Sequence, residues 1–543
     1  HHTVCPACTF GLMIGILKTP RHSSRLLILN NTVAVQPDTM TSNQAQLLLQ
    51  KLRKLEKAGC FNEAGRAYQQ LLEQNPGHPD LLWGLGRCMM HFGWRNNAAQ
   101  LLQQAVAAYP THPVLTEDVI RRLILLGHPK AALLLSERAE ARFPKLVSVS
   151  LHKVDALRLL NRHEEAIPLL RGILDTANPP AGAELRLIAC LRQAGRAKEA
   201  LQLAAQTLPD FGGSPLEQAG LLNEMAHAQE TLGDYQSAFQ SLIRSGDIAR
   251  RSQEVQSVDA EKFPRMLRSH LSWLQTRGIP IAADYSADYD ERLVFQIGFP
   301  RSGTTLVESL LAAHSKVQTS GEAALWSSVM DTLLGAGLQL DKLLEEIPRQ
   351  PIELLERARN AYWNKVWAEF GRDFDLFVDK QPMNIIFLAP IRLLFPRARI
   401  IFCARDPRDV CLSCFFQWFQ INPSNIHFLD WHDTATFYRQ VMDYWLTLRP
   451  VLADSAYTLQ YEKLVGEFEL ESKKLFNFLQ LNWEDELLAF QEKNRDRYFH
   501  TPSNQAIRER VEATASSRWH RYPDAIEEVQ SLLEPIVKEL GYG

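Results

Sequence analysis

Charge of one sign, long apolar runs and a dense set of cysteines are all missing from this 543-residue chain. The formal net charge of −3 leaves no overall basicity to drive nucleic-acid binding, so any anion site must be local. No apolar run approaches the roughly 20 residues that a membrane span needs. Phe10 to Leu17 comes nearest, and Gly11 and Gly15 break it. Eight cysteines are too few for a disulfide framework in a chain of this length, which points to reduced thiols in a cytoplasmic protein. Cys-x-x-Cys occurs at Cys5/Cys8 and Cys411/Cys414, with no second pair near either, so no metal site is expected. Residues 1–42 open on His-His-Thr and are expected to be a poorly ordered extension upstream of Met40; a weak secretion signal is the alternative.

What is present is an ordinary globular balance, 46% hydrophobic and 22% charged, in a chain too long for one core, so two or three domains are expected. The strongest structural signal is a repeat. Gly59, Gly93, Gly127, Asn161 and Gly195 are evenly spaced, as are Ala64, Ala98, Ala132, Ala166 and Ala200, and Pro76, Pro110 and Pro144 keep the same step. The period is that of tetratricopeptide repeats, about 34 residues. The Gly or Asn permits the turn between two helices, the Ala lets them approach, and the Pro follows the second helix. Trp83, Leu85 and Gly86 fall where the first helix packs, and Gly233 and Ala238 mark a further, irregular unit after Asp210 to Pro215. About six repeats are expected over residues 43–250, an α-solenoid whose concave face would take an extended peptide or a protein; homodimerisation is the other role such a surface can serve.

Residues 251–291 read as a connecting helix and linker, with Leu267, Leu271 and Leu274 at helical spacing before Gly278. From residue 292 to 543 strands alternate with helices. Leu293 to Ile297, Phe374 to Val378, Arg399 to Ala404 and Ala456 to Leu459 are strand-like, and Ile385 to Phe395 carries an apolar helical stripe. A P-loop-type three-layer α/β domain with a mainly parallel sheet is predicted, with ligands at the carboxyl ends of the strands.

The stretch joining the first strand to its helix carries the chemistry. Pro300, Arg301, Ser302, Gly303, Thr304 and Thr305 separate Ile297 from the helical Leu306, Val307, Leu310 and Leu311. A glycine-containing turn into a helix N-terminus offers unpaired N–H groups and the positive end of the helix dipole, which together bind a phosphate-type anion. Thr304 stands where a P-loop has lysine, which disfavours a nucleoside triphosphatase or kinase. Arg301, planar and permanently charged, takes over the cation's task.

Gly298-Phe-Pro-Arg-Ser-Gly-Thr-Thr-Leu306 resembles the 5′-phosphosulfate loop of sulfotransferases that use 3′-phosphoadenosine 5′-phosphosulfate (PAPS), especially tyrosylprotein sulfotransferases and bacterial enzymes joining tetratricopeptide repeats to such a domain. The resemblance runs from about Arg292 to Trp519. It implies that Arg405 and Ser413, in Ile400 to Ser413, hold the donor's 3′-phosphate. It also implies that Glu322 is the base removing the acceptor's proton, that Lys380, followed by Asn384, assists the leaving group, and that Arg301 acts with them. Tyr461 would lie near the nucleotide, and Ser503, Arg508 and Arg518 would close over the donor. One departure concerns the base: the family's Gly-Glu-Glu-Thr-Arg is here Gly321-Glu-Ala-Ala-Leu325, so the register of the glutamate is open. The implied reaction moves a sulfuryl group from PAPS to a hydroxyl, a protein or peptide tyrosine above others, without a metal. The alternatives are a small-molecule or carbohydrate acceptor, or a repeat scaffold whose nucleotide domain no longer catalyses. The acceptor code lies in loops such as Leu338 to Arg372 and Phe419 to Phe437.

Overall fold

A computed structural model describes residues 42–144, 146–176, 179–180, 182–280, 282–283, 285, 288–484, 487 and 517–543, so residues 1–41, Ser503 and Arg508 lie outside the described residues. By compactness the chain divides into two units. Among the described residues, one contains those up to Ala156 with Ala323–Gly337 and Glu356–Asp373; the other contains those of Leu157–Glu322, Leu338–Leu355 and Phe374–Gly543.

Helix pairs build the first unit: Ser42–Lys57 with Phe61–Gln74, Pro79–His91 with Arg95–Ala108, and Pro113–Leu125 with Pro129–Arg142. The turns between partners pass through Gly59, Gly93 and Gly127 at φ of 78°, 73° and 82°, a left-handed conformation that costs glycine nothing. Ala64, Ala98 and Ala132 are 0% exposed, the places where the paired helices come closest and no larger side chain fits. Pro76, Pro110 and Pro144 follow the C-caps Asn75, Tyr109 and Phe143, where no helical N–H is needed.

The two later segments of this unit are helical, Trp326–Gly335 and the C-terminal part of Ile352–Phe370. The second of them meets the repeats at its C-terminal end. Glu369 accepts the Asn96 N–H (2.9 Å) at the start of Arg95–Ala108, while the Asn96 and Asn97 side chains donate to the carbonyls of Glu369 (3.2 Å) and Ala368 (3.4 Å). Each helix end thus supplies groups the other end lacks. On the same helix, Lys365 Nζ donates to the Ala324 carbonyl (2.8 Å) and to Ser327 Oγ (3.2 Å).

The second unit continues the pairing with His163–Leu174, Ala183–Gln193 with Ala197–Thr207, and Pro215–Thr231 with Tyr235–Ala249. Asn161 turns at φ 59°, the position where the repeat replaces glycine, and Gly195 and Gly233 turn at 80° and 85°. Ala166, Ala200 and Ala238 are again fully buried. Lys262–Arg277 follows and stops at Gly278, φ 71°.

Five strands then form one sheet, β1 (Leu293–Gly298), β2 (Val317–Thr319), β3 (Leu376–Lys380), β4 (Arg399–Ala404) and β5 (Ala456–Gln460), in the order β2-β3-β1-β4-β5. All four pairings are parallel, with Gln296 opposite Lys380 on one side and Ile401 on the other. Every residue of β1 and β3 is buried, the pattern of strands covered by helices on both faces. The order reverses at β1, so its C-terminal end is a switch point where a crevice opens.

Two expectations change in the structure, and one strand was not anticipated. β2 is three residues long, too short to give a sequence pattern. Ile385 to Phe395 is not one helix: a 3₁₀ segment, Pro382–Phe387, precedes Leu388–Leu394, and Pro390 is tolerated in its first turn, where no intrahelical N–H is required. The region 338–372, read as loop, contains the 19-residue helix Ile352–Phe370; Leu354, Leu355, Ala358, Tyr362 and Val366 recur at helical spacing and are buried. No helix among the described residues is long and apolar enough to cross a membrane.

Candidate active site

The site is assembled where β1, β3 and β4 end, entirely within the second unit. β1 stops at Gly298, where a Cβ would meet Ser302 Oγ at 2.7 Å and the Cys403 carbonyl at 2.8 Å. Only glycine lets the loop fold back this tightly against β4. Ser302 Oγ donates to the Phe299 carbonyl (2.7 Å), which rounds the turn. Gly303, at φ 88°, is the N-cap of Thr304–Ala313, and a Cβ there would overlap the ring of Tyr461. The helix therefore starts without a capping side chain, and the N–H groups of Leu306 and Val307 donate back to the Gly303 carbonyl.

Arg301 occupies φ 70°, a left-handed conformation rarely adopted outside glycine. Its guanidinium reaches the helix that follows β4. Nε donates to Ser413 Oγ at 3.0 Å, and Arg405 NH1 donates to the Arg301 carbonyl at 3.1 Å. Arg405 also lies over the Tyr461 ring, 5.0 Å from its centroid. Burial lowers the Arg301 pKa to about 10, and the nearby Arg405 and Arg518 push it in the same direction. It remains charged at neutral pH, and an anion between these arginines would be stabilised by both.

Ser413 is set by the helix Pro407–Phe416, which Asp406 caps through the Arg408 N–H (2.9 Å). Cys414, on the same helix, donates to the Pro300 carbonyl (3.3 Å) and ties it to the loop. The helix ends at Phe416, whose carbonyl accepts from Asn223 Nδ2 (2.9 Å) and lies 3.0 Å from His227 Nε2. Both partners belong to Pro215–Thr231, a repeat helix. The last repeat pair also approaches the α/β domain closely enough that a Cβ on Gly246 would run into the Leu429 carbonyl.

Arg518 is held by the same repeat helix. Its Nε and NH2 donate to the two carboxylate oxygens of Glu230, each at 2.5 Å, and its guanidinium lies 4.1 Å from the Phe416 ring centroid. The backbone around it is pinned by Asp409, which accepts the N–H groups of Ser517 (2.7 Å) and Trp519 (2.9 Å). Burial raises the Asp409 pKa, and its charge is offset chiefly by Arg405.

At the end of β3, Lys380 is 0% exposed, and its backbone N–H donates to Ser320 Oγ (2.8 Å). Its ammonium pairs with the Glu322 carboxylate and lies 3.6 Å from Glu308 Oε2 and 3.5 Å from Thr305 Oγ1. Glu322 sits at φ 64°, a second left-handed non-glycine residue in the site. Glu308 Oε1 accepts the Gly321 N–H at 2.9 Å. Asn384 is buried, and its Nδ2 makes no hydrogen bond.

The fold thus brings Pro300 to Thr305, Arg405, Ser413, Tyr461 and Arg518 around one region, and joins Lys380 to Glu322 beside Thr305. Three partners were missed by sequence reasoning: Glu308, Glu230 and Asp409. Glu308 had a signal, since it follows Thr305 by three residues and Thr304 by four and so shares their helix face, a carboxylate among apolar neighbours. Glu230 had none, because its partner is 288 residues away.

Comparison with known proteins bears on this arrangement. An uncharacterised protein of Aquifex aeolicus is 28% identical over 323 residues, covering 56% of this chain and 40% of that one, so the chain spans less than half the length of that relative. Protein-tyrosine sulfotransferase 1 of Danio rerio is 22% identical over 303 residues, covering 54% of this chain and 84% of that one. Among solved structures, the sulfotransferase domain from the Synechococcus PCC 7002 olefin synthase covers 46% of this chain and 98% of its own at 19% identity, with a TM-score of 0.33. Residues 55–116 match the family model of the tetratricopeptide repeat, and residues 294–485 match that of the sulfotransferase family.

Proposed function

We propose that this protein transfers a sulfuryl group from PAPS to an acceptor hydroxyl, that of a tyrosine in a protein or peptide. The observation that carries the reading is the meeting of Arg301, Ser413 and Arg405 at the helix N-terminus, next to the buried Lys380 and its partner Glu322. Two arginines, a serine hydroxyl and the positive end of the helix fit a nucleotide with phosphate at both ends, and the Tyr461 ring packs against Gly303 where only glycine leaves it room. PAPS, when bound, supplies the sulfuryl group and leaves as adenosine 3′,5′-bisphosphate.

Each side chain then has one task. Arg301 and the amides of Ser302 to Thr305 hold the 5′ end, while Arg405 and Ser413 hold the 3′-phosphate. Glu322 takes the acceptor hydroxyl proton as the new S–O bond forms. Lys380 offsets the charge that appears on the departing bridging oxygen as the old S–O bond breaks. Positioning and charge compensation supply the acceleration, as in phosphoryl transfer. The tetratricopeptide repeats would present the acceptor peptide. Tyrosine is favoured by the relatives named protein-tyrosine sulfotransferases in animals, at 22% to 28% identity.

Calorimetric titration with adenosine 3′,5′-bisphosphate tests the donor half. Micromolar binding is expected for the wild type, weakened at least about thirtyfold in Arg405→Ala, since removing a charge-assisted pair costs about 2 kcal/mol or more. No binding by the folded wild type, or binding of ATP in its place, would refute the reading. Transfer of labelled sulfate to a tyrosine peptide, set against a small phenol, then decides the acceptor.

A further inference from the structure

Glu308 is a buried carboxylate with no task in the reaction as set out above. Its side chain is 1% exposed, on the helix that begins at the anion loop. One oxygen accepts the Gly321 N–H at 2.9 Å, and the other lies 3.6 Å from the Lys380 ammonium. Lys380, itself 0% exposed, also pairs with Glu322, which keeps 23% of its side chain exposed. Two carboxylates therefore share one ammonium, the inner one closed off from water and the outer one open to it.

We propose that Glu308 is a positioning residue of the transfer site: it fixes Lys380 and the Gly321–Glu322 turn and shares the lysine's charge, leaving Glu322 able to accept a proton. The inference rests on the sulfotransferase reading. A carboxylate matched by a single ammonium is a poor proton acceptor, because the ion pair favours its charged form. When a donor phosphate draws the Lys380 ammonium, Glu322 loses its partner and is released toward the acceptor. Lys380, however, would then sit in the interior with an uncompensated charge were Glu308 absent. Glu308 supplies that constant counter-charge. Through Gly321 it also steadies the left-handed backbone on which Glu322 is mounted, whose φ of 64° requires support from its surroundings.

The arrangement predicts that donor-site affinity and turnover move in opposite directions. Glu308→Gln keeps an oxygen for the Gly321 N–H and removes only the charge. Lys380 is then less compensated, so adenosine 3′,5′-bisphosphate should bind about tenfold more tightly, the scale of one partly screened charge a few ångström away. Turnover should fall, because product leaves more slowly and Lys380 is left to Glu322 alone. In the Lys380→Ala/Glu308→Gln double variant the affinity should not exceed that of the wild type, since the effect acts through the lysine. A purely structural Glu308 would weaken binding and turnover together.

Calorimetric titration of these variants with adenosine 3′,5′-bisphosphate decides the matter. Tighter binding in Glu308→Gln, lost in the double variant, supports the assignment. Unchanged or weaker binding, or a gain that persists without Lys380, overturns it. If Glu308→Gln does not fold, Glu308→Asp keeps the charge and must bind as the wild type does; tightened binding there overturns the proposal equally. A wild type that does not bind the probe removes the donor reading itself, a result independent of residue 308.

Discussion

Lys380 illustrates how much one side chain can carry. Its ammonium lies between Glu308 and Glu322, so a neutral replacement leaves two carboxylates facing each other, one of them sealed from water. Removing one partner of a buried pair costs about 3–5 kcal/mol. Lys380→Met is therefore expected to lower the thermal midpoint by several degrees, and adding Glu308→Gln should restore much of the loss. A midpoint unchanged in Lys380→Met would mean that the triad does not contribute to stability. Arg301 and Glu322, the two site residues with left-handed backbone, sit where strain is tolerated only because neighbours fix it: the Arg405 bond to the Arg301 carbonyl, and the Glu308 bond to Gly321. The Arg301 to Thr305 loop could be read from sequence because its groups are consecutive, and Arg405 and Ser413 because they share one strand-to-helix turn. Glu322 and Lys380 could each be named as candidates, but no sequence pattern states that they are paired.

Among elements, the helix Ile352–Phe370 was the least legible and has the most specific ends. Its Glu369 caps Arg95–Ala108, is buried, and has its pKa raised by that burial to about 7 from 4.5. The sign follows from which state keeps the proton. Between about pH 4.5 and 7 the unfolded chain has lost it while the folded protein holds it, so stability falls as pH rises through this window and levels off above it. Glu369→Gln should remove that component: the difference in thermal midpoint between variant and wild type is expected to grow in the variant's favour from pH 5 to pH 7.5. A difference independent of pH would count against a protonated Glu369. The repeat helices, by contrast, were legible in detail. Gly59, Gly93, Gly127, Asn161 and Gly195 turn as their spacing requires, and the alanines at the same step, Ala64, Ala98, Ala132, Ala166 and Ala200, are fully buried. Local turn chemistry repeats in sequence. A cap between helices more than 250 residues apart does not, and neither does the grip of Glu230 on Arg518.

On the scale of the whole molecule, sequence order and compactness part company. The repeats from Leu157 onward share a unit with the sheet, and Asn223, His227 and Glu230 contact the helix and loop that carry Ser413 and Arg518. A polypeptide of residues 292–543, the sulfotransferase-like part as its motifs delimit it, would lack all three. It would also carry Ala323–Gly337 and Glu356–Asp373 without the repeats they pack with. Expressed alone it is expected to show no cooperative thermal transition and no binding of adenosine 3′,5′-bisphosphate. A sharp transition with retained binding would show that the repeats are dispensable to the site. The same chain threading sets a schedule for synthesis. The repeats up to Ala156 leave the ribosome early, yet the helix that caps Arg95–Ala108 is not complete until Phe370 has emerged. At roughly 5–20 residues per second that interval is on the order of ten seconds or more, during which Asn96 and its neighbours wait uncapped and available to chaperones or to another nascent copy.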